Sequence, residues 1–166
     1  MHLAWLSDIE GDPGGALPHA AEALTLARDT GDRRGEAAAL NAIGWSHARL
    51  DEHARAITHC ERALALHEAA GNRIGAAHTW DSLGFAYHGL GVYETARSCY
   101  RQALTLYTDG EDQCGRAETL VRLGDTHQAT GDHDTSVDLW REAWTIFDRI
   151  GHPQARELSE RLTPSH

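Results

Sequence analysis

The sequence carries LNAIGW at residues 40–45, WDSLGF at 80–85 and LVRLGD at 120–125, in register and without a gap. The same 40-residue spacing relates Ala23-Leu24, Ala63-Leu64, Ala103-Leu104 and Ala143-Trp144. Self-similarity at a fixed period of roughly 20–50 residues is typical of proteins that stack one structural unit several times. These stretches therefore decide the fold, and they predict a repeat array.

Each unit is predicted to be a pair of helices. In the third unit, the apolar residues between Arg73 and His88 follow the 3,4 spacing of one helical face, and a second helix is predicted from Tyr93 to Tyr107. Gly89-Leu90-Gly91 separates the two, since glycine interrupts a helical pattern. A helix pair of this size cannot bury its apolar face alone, so the pairs must stack on one another.

The repeated positions resemble the tetratricopeptide repeat (TPR) family. In the third unit they are Trp80, Leu83, Gly84, Tyr87, Ala96, Tyr100 and Ala103. The second unit has Leu40, Ile43, Gly44, His47, Ala56, Cys60 and Ala63, and the fourth has Leu120, Leu123, Gly124, His127, Ser136, Trp140 and Ala143. The first unit is partial, with Leu3, Ala4, Ser7, Ala16, Ala20 and Ala23.

This resemblance covers about residues 1 to 150 and implies an all-α fold. The expected architecture is an α-solenoid, a right-handed superhelix of antiparallel helix pairs. The usual TPR period is about 34 residues, so the longer period here is similar to arrays in kinesin light chains and in actinobacterial SARP-type and nucleotide-switch regulators. The small repeated residues, such as Gly44, Gly84 and Gly124, are expected where two helices approach closely, because a larger side chain would force them apart.

The domain prediction is a single TPR array over residues 1–163. It comprises a partial repeat at 1–34, full repeats at 35–74, 75–114 and 115–154, and a capping helix at 154–162. A polar terminal helix would solvate the end of the array, as such stacks require. Because the first unit begins inside a repeat, we expect the chain to be a fragment of a longer protein.

Composition restricts the class of partner and compartment. The chain has 25 acidic and 15 basic residues and a formal net charge of −10, which argues against direct nucleic-acid binding. It has no apolar run long enough to span a membrane. Its three cysteines have no metal-ligand spacing, which favours a reduced cytoplasmic protein, and Cys60 is expected to be an inert buried thiol.

The sequence has no recognisable catalytic motif, and no enzyme activity or cofactor is predicted. It lacks a phosphate-binding glycine loop, a nucleophile elbow and a zinc-ligand motif. The 12 histidines are expected to pack or to face solvent rather than to bind metal. Asp132-His133-Asp134 is a candidate ligand cluster, but its position in a turn favours a solvated segment.

The resemblance implies a binding surface. In TPR arrays the first helix of each pair lines a concave groove, and the residue after the repeated glycine points into it. Carried over, these positions are Trp5, Trp45, Phe85 and Asp125, flanked by Asp8, Asn41, Arg49, His78, Asp81, His88, Glu118, Val121 and Gln128. Aromatic anchors among polar groups suit a peptide-binding hot spot, although the rings could instead only pack against the adjacent repeat. The acidic groove residues favour a basic or amphipathic partner.

Two functions are therefore predicted from different classes. The first is a protein- or peptide-binding TPR module, the C-terminal sensing or interaction region of a larger cytosolic transcriptional regulator. The alternative is a stand-alone scaffold, or one that self-associates through its end repeats. A peptide-pheromone receptor domain is a third hypothesis, since such receptors also use helical repeats.

Overall fold

The computed structural model describes residues 12–107 and 112–163, and these residues form eight helices and no strand. The predicted groove residues Trp5 and Asp8 lie outside the described residues. The helices are α1 (Pro13–Thr30), α2 (Arg33–Arg49), α3 (His53–Ala69), α4 (Arg73–Gly89), α5 (Tyr93–Leu106), α6 (Gln113–Ala129), α7 (His133–Arg149) and α8 (Gln154–Leu162). The predicted all-α solenoid of antiparallel helix pairs is confirmed.

The helices alternate between two structural roles. We call α2, α4 and α6 the A helices; they begin at Arg33, Arg73 and Gln113 and contact one another in that order. We call α1, α3, α5 and α7 the B helices; each packs against the A helix that follows it. Two 17-residue helices and two three-residue connections make up the 40-residue period. The helix starts lie two residues before the repeat starts set from the sequence.

The helices end at one repeated turn. Its central residue has a positive φ, and it is Gly at 31, 71, 91, 131 and 151 but Asp51 after α2. The following N–H returns to a carbonyl in the last turn of the helix, as from Glu52 to His47 at 2.9 Å. This bond caps a carbonyl that would otherwise lack an intrahelical partner. Because a left-handed residue ends the helix after so few residues, the chain reverses direction at once.

Replacing Asp51 by Gly is expected to raise the free energy of unfolding by about 0.5–1 kcal/mol. Asp51 has a φ of 60°, which a residue with a Cβ adopts only at a conformational cost. Its side chain is 95% exposed and lies 3.8 Å from His53, so little contact is lost. Urea denaturation followed by circular dichroism measures the change. The reverse substitution, Gly91→Asp, is the matched control and should destabilise by a similar amount; a destabilised Asp51→Gly variant would contradict this account.

The repeated glycines lie where an A helix meets the following B helix. A Cβ atom at Gly84 would lie 2.6 Å from the Tyr100 ring, and one at Gly124 would lie 2.6 Å from the Trp140 ring. A Cβ at Gly44 would overlap the Sγ of Cys60. The predicted close approach is therefore confirmed at all three positions. Cys60 is fully buried in this contact, and burial raises the pKa of its thiol to about 12, as expected of an inert thiol.

The last helix, α8, lies where the A helix of a further repeat would begin. Its Leu158 is 3% exposed and packs in a cluster with Leu120 of α6 and Ile146 and Phe147 of α7. Its other side chains are largely exposed. This short amphipathic helix therefore covers the apolar end of the last helix pair.

Candidate functional site

The predicted groove residues within the described chain all lie on the A helices. They are Asn41, Trp45 and Arg49 on α2; His78, Asp81, Phe85 and His88 on α4; and Glu118, Val121, Asp125 and Gln128 on α6. We call the surface formed by these residues and Arg122 the A face. Because successive A helices contact one another, side chains 40 residues apart in sequence lie side by side on it.

The centre of the A face is an aromatic pair covered by an arginine. The rings of Trp45 and Phe85 are 4.9 Å apart between centroids and tilted by 54°. The guanidinium carbon of Arg122 lies 5.0 Å from the centre of the Trp45 ring, within the range of a cation–π contact. Three successive repeats thus contribute to one strip. The two rings pack between repeats, and both remain partly exposed.

Arg122 is held by a buried carboxylate. Its Nη1 lies 2.7 Å from Oδ2 of Asp81, which is only 7% exposed, and Thr119 donates a hydrogen bond of 2.9 Å to the other Asp81 oxygen. Glu118 lies 3.5 Å from the same guanidinium. Burial alone would lower the pKa of Arg122, but Asp81 and Glu118 raise it overall. Asp81 is therefore engaged within the array and positions Arg122 over Trp45.

Asp125 is also engaged. One of its oxygens accepts hydrogen bonds from Nε1 of Trp140 at 3.2 Å and from Arg161 of α8 at 3.1 Å. The Arg161 guanidinium lies 5.3 Å from the centre of the Trp140 ring. A cavity of about 250 Å³ opens between this contact and the aromatic strip, lined in part by Phe85 and Val121. The terminal helix thus forms one wall of the A face.

The two predicted histidines brace neighbouring repeats. Nε2 of His78 lies 2.7 Å from Asp112, the N-cap of α6, and its Nδ1 lies 3.2 Å from the Tyr107 hydroxyl. Burial opposes protonation of His78, but Asp112 outweighs it and raises the pKa of this histidine, while the pKa of Asp112 is lowered. His88 pairs with the Thr126 hydroxyl at 2.8 Å, and burial lowers the pKa of His88.

The remaining predicted positions make local contacts. Oδ1 of Asn41 lies 3.9 Å from Sγ of Cys60. The amide oxygen of Gln128 pairs with His133 at 2.8 Å and accepts a hydrogen bond from Ser136 at 2.9 Å. Val121 packs at the edge of the cluster that contains Leu158. Asn41 and Gln128 therefore support the A helices from within their own repeat.

Sequence reasoning missed Arg122 and the α8 residue Arg161. Arg122 is adjacent to a predicted groove residue, and only its carboxylate partner, 41 residues earlier in the chain, shows that it turns toward the groove. The sequence signal for it was weak, because the equivalent positions in the other repeats are Ala42 and Ser82. Repeat alignment cannot find a charge pair that occurs in a single copy.

A second feature found only in the structure is a buried histidine linked to a helix cap. His67 is 3% exposed, and its Nδ1 accepts a hydrogen bond of 3.1 Å from the amide of Asn72. The Asn72 oxygen in turn accepts from the Gly75 N–H, which caps α4. Burial lowers the pKa of His67, so the neutral ring is the form that fits.

Acidification is expected to lower stability through His67. Because its folded pKa lies below the unfolded value of about 6.5, the contribution is complete above that value and is lost as pH falls toward the folded pKa. Protonation would also remove the acceptor for Asn72. The measurement is the melting temperature between pH 7.5 and 5, with His67→Gln expected to flatten the slope. His19→Gln, on exposed α1, is the control; an unchanged slope in the His67 variant would refute the linkage.

Searches for other site types concern the described residues alone. Residues 12–107 and 112–163 contain no group of three or more His, Cys, Asp or Glu that could hold a metal ion. No helix among them is long and apolar enough to cross a membrane.

Comparisons with known proteins place the repeats in a family. Residues 46–109 match the family described as tetratricopeptide repeat. No curated protein sequence matches the chain. Among solved structures, BtubC (BKLC) from P. vanneervenii is 21% identical with a TM-score of 0.71, over 99% of this chain and 65% of its own. The Rap protein complexed with competence and sporulation factor is 14% identical with a TM-score of 0.86, over 96% and 45%.

A third solved structure has repeats of the same kind. The putative kinesin light chain TPR-like repeats of Podosopora anserina are 15% identical with a TM-score of 0.70, over 97% of this chain and 81% of theirs. At these identities the likeness concerns the fold alone, and the chain spans less than two thirds of the BtubC and Rap chains. The molecule is thus an α-solenoid of stacked helix pairs. It is a tetratricopeptide repeat protein, and this fold supports a protein–protein interaction module.

Proposed function

We propose that the A face binds a segment of another protein or a peptide, with Trp45 and Phe85 as its anchors. The observation that carries this proposal is the strip in which Trp45, Phe85 and Arg122 come from three different repeats. Half-buried aromatic rings beside a pre-positioned arginine are the residue types that dominate binding energy at interfaces. Their contact with one another keeps the anchors rigid, which reduces the entropy lost on binding.

The partner proposed for the A face is amphipathic. The exposed edges of Trp45 and Phe85 suit an apolar side chain, and Glu118, whose side chain is 36% exposed, suits a basic one. The other predicted acidic groups contribute less, because Asp81 is bound to Arg122 and Asp125 to Arg161. Electrostatics would therefore orient the partner, while the aromatic strip would supply most of the affinity.

Peptides selected from a random 12-residue display library against the wild-type chain test this function. Their affinity should fall at least tenfold in the double variant Trp45→Leu/Phe85→Leu, which keeps apolar volume between the repeats. Leu90→Ala is the control, because Leu90 is an apolar residue of similar accessibility, 49% exposed, outside the A face. Circular dichroism establishes that all variants are folded. Equal affinity for the wild type and the double variant would remove the A face as the binding site.

In its cellular context, we propose a non-catalytic cytoplasmic sensing or interaction region of a larger transcriptional regulator. The long repeat period supports this, as does the likeness to a Rap protein solved with competence and sporulation factor. A peptide signal is one ligand class that such a region would take. The coding sequence upstream is the test: a winged-helix or P-loop domain in the same reading frame supports the regulator, and a stop codon there contradicts it.

A self-associating scaffold is the second candidate. It is favoured by the stacking of repeats, but α8 covers the apolar end of the last pair through Leu158. Association at that end would therefore require α8 to move. Size-exclusion chromatography with light scattering distinguishes the two, since a monomer at about 1 mM, where only weak complexes remain dissociated, excludes self-stacking.

A further inference from the structure

A separate cleft lies between two B helices, away from the A face. It has a volume of about 400 Å³, within the range of ligand pockets, and we call it the B furrow. Its apolar floor comes mainly from α4, and its rims are α3 and α5. The floor residues are Leu64, Trp80, Leu83, Tyr87 and Cys99, and the rim residues are Glu61, Ala65 and Glu68 of α3 with Thr95 and Ser98 of α5.

The floor of the B furrow is rigid and aromatic. Leu83 and Cys99 are 3% and 4% exposed and pack in one cluster with fully buried Cys60. Trp80 and Tyr87 pack against this cluster but remain partly exposed. They are seven residues apart on α4, so two aromatic side chains lie about two turns apart along the floor.

The rim of the B furrow carries two carboxylates with no ion pair among the described residues. Glu61 and Glu68 are both exposed and lie seven residues apart on α3, which separates them by about 10.5 Å along the helix axis. Because α3 and α4 run antiparallel, Glu61 faces the Tyr87 end and Glu68 the Trp80 end. Burial raises the pKa of Tyr87, and the nearby Glu61 carboxylate raises it further, as this placement requires.

The other units lack this combination. At the positions equivalent to Glu61 and Glu68, α1 has Ala21 and Arg28, and α7 has Arg141 and Asp148. The positions equivalent to Trp80 and Tyr87 are Leu40 and His47 in one unit and Leu120 and His127 in another. A carboxylate beside an aromatic ring at each end of an apolar floor therefore occurs in one furrow of the described array.

We propose that the B furrow is a second docking site, for a partner helix with arginines at positions i and i+7 and leucines between them. A helix lying alongside α3 repeats the 10.5 Å spacing of the two carboxylates to about the same length. Each guanidinium would pair with one carboxylate and lie over one ring, combining ion pairing with a cation–π contact. The leucines at i+3 and i+4 would cover Leu64, Leu83 and Cys99. This site does not depend on the function proposed for the A face.

The test uses designed alanine-based helical peptides and the full chain. The first peptide has Arg at i and i+7 with Leu at i+3 and i+4; the second replaces both Arg by citrulline; the third moves the second Arg to i+5, off the shared face. We expect the first to bind about tenfold more tightly than either of the others, from two ion pairs and two cation–π contacts. Isothermal titration and the indole signal of Trp80 in NMR spectra report binding and its location.

Matched variants separate the site from the general attraction of an acidic protein for cations. Glu61→Gln/Glu68→Gln should remove the preference for the first peptide. Glu22→Gln/Asp29→Asn removes two carboxylates with the same spacing from exposed positions on α1 and should leave it intact. The A-face variant Trp45→Leu/Phe85→Leu should also bind normally. Equal binding of the arginine and citrulline peptides, or equal losses in the two charge variants, would overturn the proposal.

Discussion

Gly84→Val is expected to lower the free energy of unfolding by about 3 kcal/mol. The Cβ alone would lie 2.6 Å from the Tyr100 ring, and this ring is 1% exposed and cannot swing into solvent. Overpacking in a rigid contact costs about 1–3 kcal/mol, and a β-branched residue adds two further methyl groups. Urea denaturation measures the change. The cost falls between α4 and α5, at the middle of the array, so it should affect unfolding of the whole chain.

Two further variants make this prediction specific. Gly14→Val, in the exposed first turn of α1, should change stability by less than about 1 kcal/mol, because its Cβ would meet only Asp12 Oδ1 at 3.3 Å. Tyr100→Ala should cost about 3–5 kcal/mol by opening a cavity. In the double variant Gly84→Val/Tyr100→Ala, the valine fills part of that cavity, so the loss should be smaller than the sum. Strict additivity would show that the two positions do not share a contact.

Asp81→Ala is expected to cost about 3 kcal/mol and to weaken peptide binding on the A face. The substitution leaves Arg122, whose side chain is 22% exposed, with only the more distant Glu118 as a charge partner. Removing one member of a buried pair costs about 3–5 kcal/mol, and partial exposure of the arginine places the value at the lower end. Thr119 also loses an acceptor. Once released, Arg122 no longer remains over Trp45.

The double variant Asp81→Leu/Arg122→Leu tests the electrostatic origin of this loss. Replacing a buried pair by apolar residues is often close to neutral, so the double variant should recover most of the stability but not the affinity for A-face peptides. Arg141→Ala is the control, since its pair with Asp138 is 61% and 78% exposed and should contribute less than about 1 kcal/mol. Equal losses for Asp81→Ala and Arg141→Ala would show that burial does not matter here.

The two binding proposals use different sides of the same helix. On α4, Asp81 and Phe85 face the A face, whereas Trp80 and Tyr87 form the floor of the B furrow. The residues between them, such as Leu83 and Gly84, are buried against neighbouring helices. One rigid helix can therefore position two surfaces, and variants on one side should leave binding on the other unchanged.

Much of the fold could be predicted from the sequence because repetition supplies its own evidence. The predicted helix from Arg73 to His88 and the observed Arg73–Gly89 agree within one residue. The close approach at Gly44, Gly84 and Gly124 followed from residue size alone, since a recurring glycine in a helix needs a steric reason. The left-handed turn at Gly71 followed in the same way, whereas the same turn at Asp51 is a case where composition does not reveal conformation.

The sequence by itself determined the repeat period, the helix pairs, the positions of close packing and the line of residues that form the A face. These features depend on local periodicity and side-chain size, which recur in each copy. Only the tertiary structure decided which charges are engaged, that Arg122 covers Trp45, that α8 adds a wall through Arg161, and that Glu61 and Glu68 border an aromatic floor. Such pairs occur once and join different helices, so their formation depends on how neighbouring repeats pack rather than on the pattern within one repeat.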